Sequence, residues 1–279
     1  MNVVTVSEKK GKDVQMLTDA FLKKGFERAP FIGVSKLGLI TKKSGTRIVV
    51  GKLNFRKYDA VFLKAGPHLT QFIEPFLDNL VESGIYCQLK PESYYVTSNK
   101  PFMYATLNAA GIPMQKTTII QSVEMIEQAV KGFKFPLLFK TFSGHEKLQH
   151  VIMDSERGLM SMAKGVKEKA EAILLQEYLE GDLDYCFVIG RETFSVKRKW
   201  DDKKMEHLEK GVSSTLDEDA VRIASKAARA VGADIATVKM INGRVIDVSP
   251  EIELERFNKI LCKELQENIA SHYMEVLTR

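Results

Sequence analysis

The first third of the chain alternates short apolar runs with amphipathic segments. Runs with the composition of strands occupy residues 3–6, 47–50 and 59–63. Helical spacing of apolar side chains follows the first run at Val14, Leu17, Phe21 and Leu22, and recurs across residues 70–83, up to Gly84. Strands joined through helices run parallel, because the helix returns the chain to the same end of the sheet. The sequence therefore predicts an α/β fold with a parallel sheet at its N-terminal end.

The middle of the chain continues with shorter elements. Ser98 is the predicted N-cap of a helix that ends at Gly111, with Pro113 beyond it. Further strands are predicted at residues 117–120, 135–140, 151–153 and 173–178, and further helices at residues 122–131 and 159–169. Together these elements predict a compact α+β lobe.

The last third favours antiparallel pairing. Predicted strands lie at residues 185–189, 193–197, 236–241 and 244–248, and predicted helices lie at residues 217–231 and from residue 257 onward. The last two strands are joined by Asn242-Gly243, the dipeptide most typical of a two-residue hairpin turn. A second α+β lobe is therefore expected here.

Composition excludes several classes of protein. No apolar run in the 279 residues approaches the roughly 18 needed to cross a bilayer, and no signal peptide is recognisable, so the cytoplasm is the expected compartment. The net charge of +5 is spread along the chain and does not by itself indicate a nucleic-acid surface, which needs clustered charge. Cys87, Cys186 and Cys262 lie far apart, which argues against a disulfide framework.

Lys140 is the first candidate functional residue. It ends an apolar predicted strand and is followed by a turn that contains Gly144. A cation fixed at a strand end beside a glycine turn can hold a phosphate group with little reorganisation. The alternative is a solvated lysine at a strand end, which is common on protein surfaces.

Several landmarks occur in a characteristic order. They are Asn99-Lys100, Gly111-Ile112-Pro113, and the runs FPLLFK at 135–140, LLQEYL at 174–179 and NGRVIDVSP at 242–250. In this order and spacing the chain resembles the ATP-grasp superfamily, closest to its RimK-type amino-acid ligases. The resemblance implies an N-terminal Rossmann-like domain (residues 1–97), an ATP-grasp small lobe (98–178) and a C-terminal lobe with a terminal helix (179–279).

The same resemblance implies a nucleotide site between the two lobes. It places Lys100, Lys140 and Gly144 at the phosphates, Gln176, Glu177, Tyr178 and Leu179 at the adenine edge, and Glu180 or Asp182 near the ribose. Lys199 stands where the family usually has an arginine after its hairpin, so it is the expected catalytic cation. The alternative is that Lys199 is a solvated surface residue of a basic run and has no functional role.

Two parts of the pattern depart from the family. The glycine-rich phosphate loop is replaced by GHEKLQ at residues 144–149. The family's magnesium ligands, two carboxylates and an asparagine, correspond to Lys239, Asp247 and Ser249. An ammonium among the ligands repels a metal ion, so we expect at most a single Mg²⁺ ion, held by Asp247 with help from Ser249 or Glu251, and Lys239 at the phosphates.

The resemblance implies an ATP-dependent carboxylate–amine ligase that works through an acyl-phosphate. Its expected partners are a nucleotide and a small-molecule or peptide carboxylate, and a homo-oligomer is compatible with the sequence. Two alternatives stay open: a catalytically impaired protein with a binding or scaffolding role, and a small-molecule kinase on the same framework.

Two further candidate sites have weaker support. His145 and His150 lack a carboxylate or cysteine at ligand-like spacing, which argues against a metal site. The basic run at residues 197–204 contains Trp200 and can in principle stack on a nucleic-acid base. Asp201 and Asp202 interrupt its charge, so a solvated loop is the preferred interpretation.

Overall fold

The computed structural model describes residues 1–43, 45–51, 53–143, 146–165, 170–201 and 206–279. The strands are β1 Val3–Ser7, β2 Phe31–Gly33, β3 Gly38–Lys42, β4 Gly45–Val50, β5 Leu53–Asn54, β6 Ala60–Lys64, β7 Tyr86–Cys87, β8 Thr117–Ile120, β9 Leu137–Ser143, β10 Glu146–Met153, β11 Ala172–Glu177, β12 Leu183–Ile189, β13 Glu192–Asp201, β14 Glu206–Ser214, β15 Ile235–Ile241 and β16 Arg244–Ser249. The α-helices are α1 Lys12–Lys24, α2 Thr70–Glu82, α3 Pro91–Ser98, α4 Lys100–Ala109, α5 Ile126–Val130, α6 Glu156–Lys164, α7 Glu218–Ala230, α8 Leu254–Leu261 and α9 Leu265–Leu277.

The first sheet has the strand order β2-β1-β6-β7, and its strand pairs are parallel. The predicted parallel sheet is therefore confirmed for the runs at residues 3–6 and 59–63, whereas the run at residues 47–50 lies in β4, a strand of a separate antiparallel sheet. Helix α2 packs on one face of the sheet, and α1 and α9 pack on the other. A small antiparallel sheet, β3-β4-β5, lies against α2, where the Asn79 amide donates to the Thr46 carbonyl at 2.8 Å.

The second sheet has the order β10-β9-β11-β8, with antiparallel pairing throughout. Strand β9 alternates between two environments because successive side chains of a strand point to opposite faces. Leu137 and Phe139 are fully buried against α5 and α6, whereas Leu138 and Lys140 lie on the opposite face. One face of this sheet is therefore available to build a site.

The third sheet has the order β14-β13-β12-β15-β16 and is also antiparallel. Helix α7 covers one face through Ala224, Ala227 and Ala228, whose small side chains allow close packing. The Asn242-Gly243 turn has positive φ values of 50° and 71°, as a type I′ hairpin turn requires, so the predicted hairpin is confirmed. Strand β14 was not predicted, because its sequence is mostly polar.

Several helix boundaries differ from the sequence predictions. Asn99, not Ser98, caps α4: its side chain accepts a hydrogen bond from the Phe102 backbone N–H at 3.1 Å. Ser98 instead ends α3, a helix that the sequence pattern missed because it has no amphipathic periodicity. The predicted C-terminal helix is two helices, separated at Cys262, which adopts a left-handed conformation with φ 51°.

One position of the apolar face predicted for α1, Leu22, and one apolar position of the helical pattern predicted across residues 70–83, Val81, are exposed. Leu22 is 48% exposed and Val81 is 63% exposed, while their helical neighbours Phe21 and Leu80 are buried. Each exposed residue directly follows a buried core residue. Successive residues of a helix are turned by about 100° around its axis, so the exposed side chain points away from the interface.

Helix α9 joins the end of the chain to the first sheet. The Tyr273 hydroxyl donates to the Val61 carbonyl at 2.9 Å and lies 2.8 Å from the Gln88 side-chain oxygen. The terminal helix thus packs against the N-terminal part of the fold. Within the described ranges, no helix combines the length and apolar character that a membrane crossing requires.

Candidate functional site

A cleft of about 730 Å³ separates the second sheet from the third. Helix α4 and the end of α3 close one side of it. The residues that line it are Ala65, Pro67, Tyr94, Thr97, Ser98, Lys100, Tyr104, Gln115, Leu138, Lys140, Phe142, His150, Ile152, Tyr178, Leu179, Leu183, Trp200, His207, Lys239, Ile241, Ile246, Asp247, Ser249, Pro250 and Glu251. The cleft is large enough for a nucleotide.

Three lysines reach the cleft from three different elements. Lys100 is the first residue of α4, and the Asn99 cap fixes the start of that helix. Lys140 lies on β9 between Leu138 and Phe142, which line the same cleft because side chains two residues apart share a strand face. Lys100 and Lys140, expected to share one crevice, therefore do so.

Lys239 is the third lysine, and its place is set by strand pairing. It lies on β15 directly opposite Asp247 of β16. The register shifts immediately after this pair, so that Ile246 is the extra residue of a β-bulge. A bulge redirects side chains, and here the consecutive residues Ile246 and Asp247 both line the cleft.

Asp247 is the electrostatic centre of the cleft. Its Oδ1 accepts a hydrogen bond from the Lys100 Nζ at 2.6 Å, and its Oδ2 accepts one from the Lys239 Nζ at 3.2 Å. Burial acts to raise the pKa of Asp247, but attraction by the two ammonium groups outweighs burial and holds that pKa below its ordinary value. The carboxylate is therefore ionised and paired with two cations.

Lys239 stays charged for the same reason. Burial acts to lower its pKa, but the Asp247 carboxylate outweighs burial and raises the pKa above the ordinary value for lysine. The Lys239 ammonium also lies 5.7 Å from the centre of the Tyr185 ring, within the range of a cation–π contact. These two contacts hold a permanent positive charge at the wall of the cleft.

Of the four residues predicted to contact adenine, two line the cleft and two do not. Tyr178 and Leu179 line the cleft. Gln176 is fully buried, and its amide donates to the Thr117 hydroxyl at 2.9 Å. The Glu177 carboxylate accepts from the Arg244 guanidinium at 2.6 Å, which ties the end of β11 to the hairpin of the third sheet.

Asp182 and Lys199 pair with each other and are not among the residues that line the cleft. The Lys199 Nζ lies 2.8 Å from Asp182 Oδ2, while the Trp200 backbone N–H donates to Asp182 Oδ1 at 3.0 Å. The hydrogen bond that Lys199 donates to Asp182 lowers the pKa of Asp182 and raises the pKa of Lys199. Gly144 lies outside the described residues.

Ser249 and Glu251 follow Asp247 at the mouth of the cleft. The Ser249 hydroxyl accepts from the Glu251 backbone N–H at 3.1 Å, which turns the chain at Pro250. Glu251 lines this cleft and also two neighbouring cavities of about 120 and 850 Å³. The three cavities therefore meet at Glu251.

Three ring-bearing residues that were not predicted at the nucleotide site, Trp200, His207 and Tyr104, also line the cleft. The Trp200 ring meets the Tyr178 ring edge-on at 6.2 Å and the His207 ring at 4.9 Å, and all three line the cleft. Tyr104 donates its hydroxyl to the Ile246 carbonyl at 2.9 Å. Its spacing of four residues from Lys100 was the signal that both side chains share a helix face.

Asp247, the carboxylate expected to hold a magnesium ion, is already paired with two ammonium groups. Among the described residues there is no group of three or more His, Cys, Asp or Glu side chains placed to hold a metal ion, and His150, a cleft residue, belongs to no such group. Magnesium requires oxygen ligands at about 2.0–2.1 Å in an octahedron. Both Asp247 oxygens instead contact ammonium groups, which would repel a divalent cation.

Comparison with known proteins agrees with this architecture. The model of the RimK-like ATP-grasp domain matches residues 97–274. A probable alpha-L-glutamate ligase of Mannheimia succiniciproducens is 26% identical over 214 residues, which cover 72% of each chain. The protein of the same name from Haemophilus influenzae strain Rd is 23% identical over 214 residues, covering 72% of this chain and 71% of its own.

Solved structures show the same fold over nearly the whole chain. The ATP-grasp ligase PsnB in complex with a minimal precursor, Mg and ADP superposes with a TM-score of 0.73 at 13% identity, covering 99% of this chain and 97% of its own. D-alanine–D-alanine ligase from Bacillus anthracis, complexed with ATP, gives a TM-score of 0.66 at 14% identity, covering 100% and 98%. These matches confirm the predicted ATP-grasp fold, and because the family model spans more than half of the sequence, this chain belongs to the RimK-like ATP-grasp family of ligases.

Proposed function

We propose that this chain is an ATP-dependent ligase that joins a carboxylate to an amine. The observation that carries the proposal is the convergence of Lys100, Lys140 and Lys239 on one cleft between the second and third sheets. Three ammonium groups in a partly enclosed cleft form a site for a polyphosphate, because charge-assisted hydrogen bonds strengthen where water is partly excluded. Family membership supports ATP as the source of that polyphosphate.

The proposed reaction has two steps. A carboxylate oxygen of the substrate attacks the γ-phosphorus of ATP, and ADP leaves with the electrons of the broken P–O bond. The amine of the second substrate then attacks the acyl carbon, phosphate leaves, and the amine gives up a proton. The lysines act by positioning the phosphates and balancing their charge, which is the main protein contribution to phosphoryl transfer.

The remaining predicted residues have roles within this proposal. The backbone at Tyr178 and Leu179 reads the adenine edge, with nucleotide bound between residues 98–178 and 179–279. Lys199 approaches the transferring phosphoryl group only after it separates from Asp182, so its catalytic role requires that this ion pair opens. Ser249 and Glu251, expected to help Asp247 hold a metal ion, line the cleft beside it.

The names of the relatives guide the choice of substrates. The curated relatives are probable alpha-L-glutamate ligases, and PsnB binds a precursor peptide. Glutamate, other amino acids and acidic peptides are therefore the first candidates for the carboxylate and the amine.

A binding protein with little turnover is the second candidate function. It is favoured by Asp247, whose two oxygens are both occupied by ammonium groups, so that this carboxylate is not open to a metal ion. The two candidates differ in chemistry but share the nucleotide site.

One assay separates the candidates. Purified protein is incubated with ATP and a panel of amino acids and acidic peptides, ADP release is followed, and products are weighed by mass spectrometry. A ligase releases ADP and phosphate and gives a product heavier by one residue. A product heavier by one phosphate identifies a kinase, and nucleotide binding without ADP release identifies a binding protein.

A further inference from the structure

We propose that the Lys239 ammonium, held in place by Asp247, supplies the counter-charge to the nucleotide phosphates, so that nucleotide binding to this chain does not require a divalent cation. This inference rests on the proposed nucleotide site and specifies how that site balances charge. It starts from a disagreement between this chain and a related structure. The PsnB complex contains Mg with ADP, whereas the Asp247 carboxylate in this cleft is paired with the ammonium groups of Lys100 and Lys239.

The disagreement comes from the occupancy of one carboxylate. Asp247 has two oxygens, and each is already the acceptor of a lysine ammonium, at 2.6 Å from Lys100 and 3.2 Å from Lys239. A magnesium ion bound at about 2.1 Å from either oxygen would lie within a few ångströms of an ammonium group. Like charges at that distance repel strongly in a partly buried cleft.

The lysines also replace what the metal ion would contribute. An ammonium group has three N–H donors. If Lys239 gives one of them to Asp247, the others remain for phosphate oxygens. Lys100 has fewer donors left, because its ammonium also contacts the Val248 carbonyl at 3.3 Å. Two ammonium groups against one carboxylate leave one net positive charge at this point of the cleft, and Lys140 lines the same cleft from the second sheet.

The position of Lys239 is fixed well enough for this role. Strand pairing places it opposite Asp247, and the Tyr185 ring lies 5.7 Å from its ammonium. Its side chain keeps 32% exposure, so the charged end is accessible from the cleft. A cation that is held before the ligand arrives loses less entropy on binding than a free side chain does.

The test measures ADP binding by titration calorimetry, once with excess EDTA and once with excess Mg²⁺. We expect the Kd of the unaltered protein to change less than about threefold between the two conditions. Lys239→Met, which keeps the length of the side chain but removes its charge, should weaken binding in EDTA at least about tenfold, the effect of losing one charge-assisted contact. Lys24→Met, an exposed lysine in the last turn of α1, is the matched control for net charge and should bind as the unaltered protein does.

Lys239→Asp provides the reverse test. A second carboxylate beside Asp247 creates a pair of oxygen ligands for a divalent ion, so ADP binding should become dependent on Mg²⁺. This variant is informative only if its melting curve is cooperative, and Lys239→Met carries the test if it is not.

The outcomes separate this inference from the proposed function. If the unaltered protein binds ADP only with Mg²⁺, the nucleotide site stands and the role of Lys239 is overturned. If Lys239→Met binds ADP in EDTA as tightly as the Lys24→Met control, the role of Lys239 is again overturned. If the unaltered protein binds no nucleotide under either condition, both proposals fail together.

Discussion

Lys100 and Asp247 are 147 residues apart in the chain, and their side chains meet at 2.6 Å inside the cleft. The contact joins the first residue of α4 to a strand of the third sheet. The Lys100 ammonium also lies 3.3 Å from the Val248 carbonyl, so it contacts both the backbone of β16 and the Asp247 side chain on that strand. This ion pair thus connects helix α4 to strand β16 inside the cleft.

Removal of Lys100 should destabilise the fold through Asp247. In Lys100→Met the partly buried carboxylate retains only Lys239, and we expect the free energy of unfolding to fall by about 1–3 kcal/mol. Urea denaturation of Lys100→Met, Asp247→Asn and the double variant measures the coupling. We expect the double variant to lose at least about 1 kcal/mol less than the sum of the single variants. Additive losses would show that the contact contributes nothing of its own.

The N-cap of α4 gives a second prediction. Asn99→Ala removes the acceptor for the Phe102 N–H and should lower the free energy of unfolding by about 1 kcal/mol. Ser98→Ala is the matched control, since Ser98 precedes the cap and its side chain does not close the helix. Denaturation curves for the two variants decide between them. An equal or larger loss in Ser98→Ala would return the cap to the residue that the sequence pattern favoured.

The neighbouring residues Ser98 and Asn99 show why a sequence pattern predicts the presence of a helix better than the residue at which the helix begins. Ser98 and Asn99 are both good N-cap residues, so sequence preference alone did not separate them. The preceding helix α3 decides, because it continues through Ser98 and leaves Asn99 as the first residue with extended backbone. Hairpins are easier: Asn242-Gly243 has a strong local preference for positive φ, and its turn was predicted correctly.

The site was predictable in part for a similar reason. Lys100, Lys140 and Asp247 fall in ordered motifs, Lys239 stands at a position that corresponds to a magnesium ligand of the family, and all four line the cleft. The pairing of Asp247 with two lysines was not predictable, because it depends on strand register and on a bulge at Ile246. Trp200 was considered only as part of a basic run, and His207 was not predicted because β14 was not recognised; the β13–β14 pairing brings the two rings together.

Trp200 is the single tryptophan of the chain and lines the cleft. Its fluorescence therefore reports on the site without a label. We expect saturating ADP to change the intensity or the emission maximum, because a bound ligand alters the polarity around the indole ring. Trp200→Phe should remove the signal while calorimetry still detects binding. An emission spectrum that is unchanged at saturation would place the bound nucleotide away from this ring.

Lys199 tests whether the ion pair with Asp182 takes part in turnover. If Lys199 reaches the phosphoryl group during the reaction, Lys199→Met should lower kcat at least about tenfold with little change in the Kd for ADP. Asp182→Asn weakens the pair but keeps the lysine, so its kcat should fall much less. Both are measured by ADP release with the best substrate of the panel. An unchanged kcat in Lys199→Met would assign the pair a structural role only.

His207 lines the cleft, and its surroundings shift its pKa. Burial lowers its pKa below the ordinary value of 6.5 and outweighs the hydrogen bond to the Gly181 carbonyl, which acts to raise it, while the Arg198 charge lowers it further. Its Nε2 lies 2.9 Å from that carbonyl, and its ring contacts Trp200. The neutral imidazole is therefore the form that the folded protein prefers.

Because the unfolded chain takes up the proton first, stability that depends on neutral His207 is fully present above about pH 6.5 and decreases as the pH falls from there through the lower pKa of the folded state. The slope from this one group is at most about 1.4 kcal/mol per pH unit. His207→Gln keeps a donor for the Gly181 carbonyl but has no proton to gain. Urea denaturation between pH 7.5 and about pH 5 should show a smaller loss for His207→Gln than for the unaltered protein, with the two proteins closest in their pH dependence above about pH 6.5. Parallel curves across the whole range would mean that His207 has the same pKa in the folded and unfolded states. Burial next to Trp200 would then not disfavour the protonated imidazole.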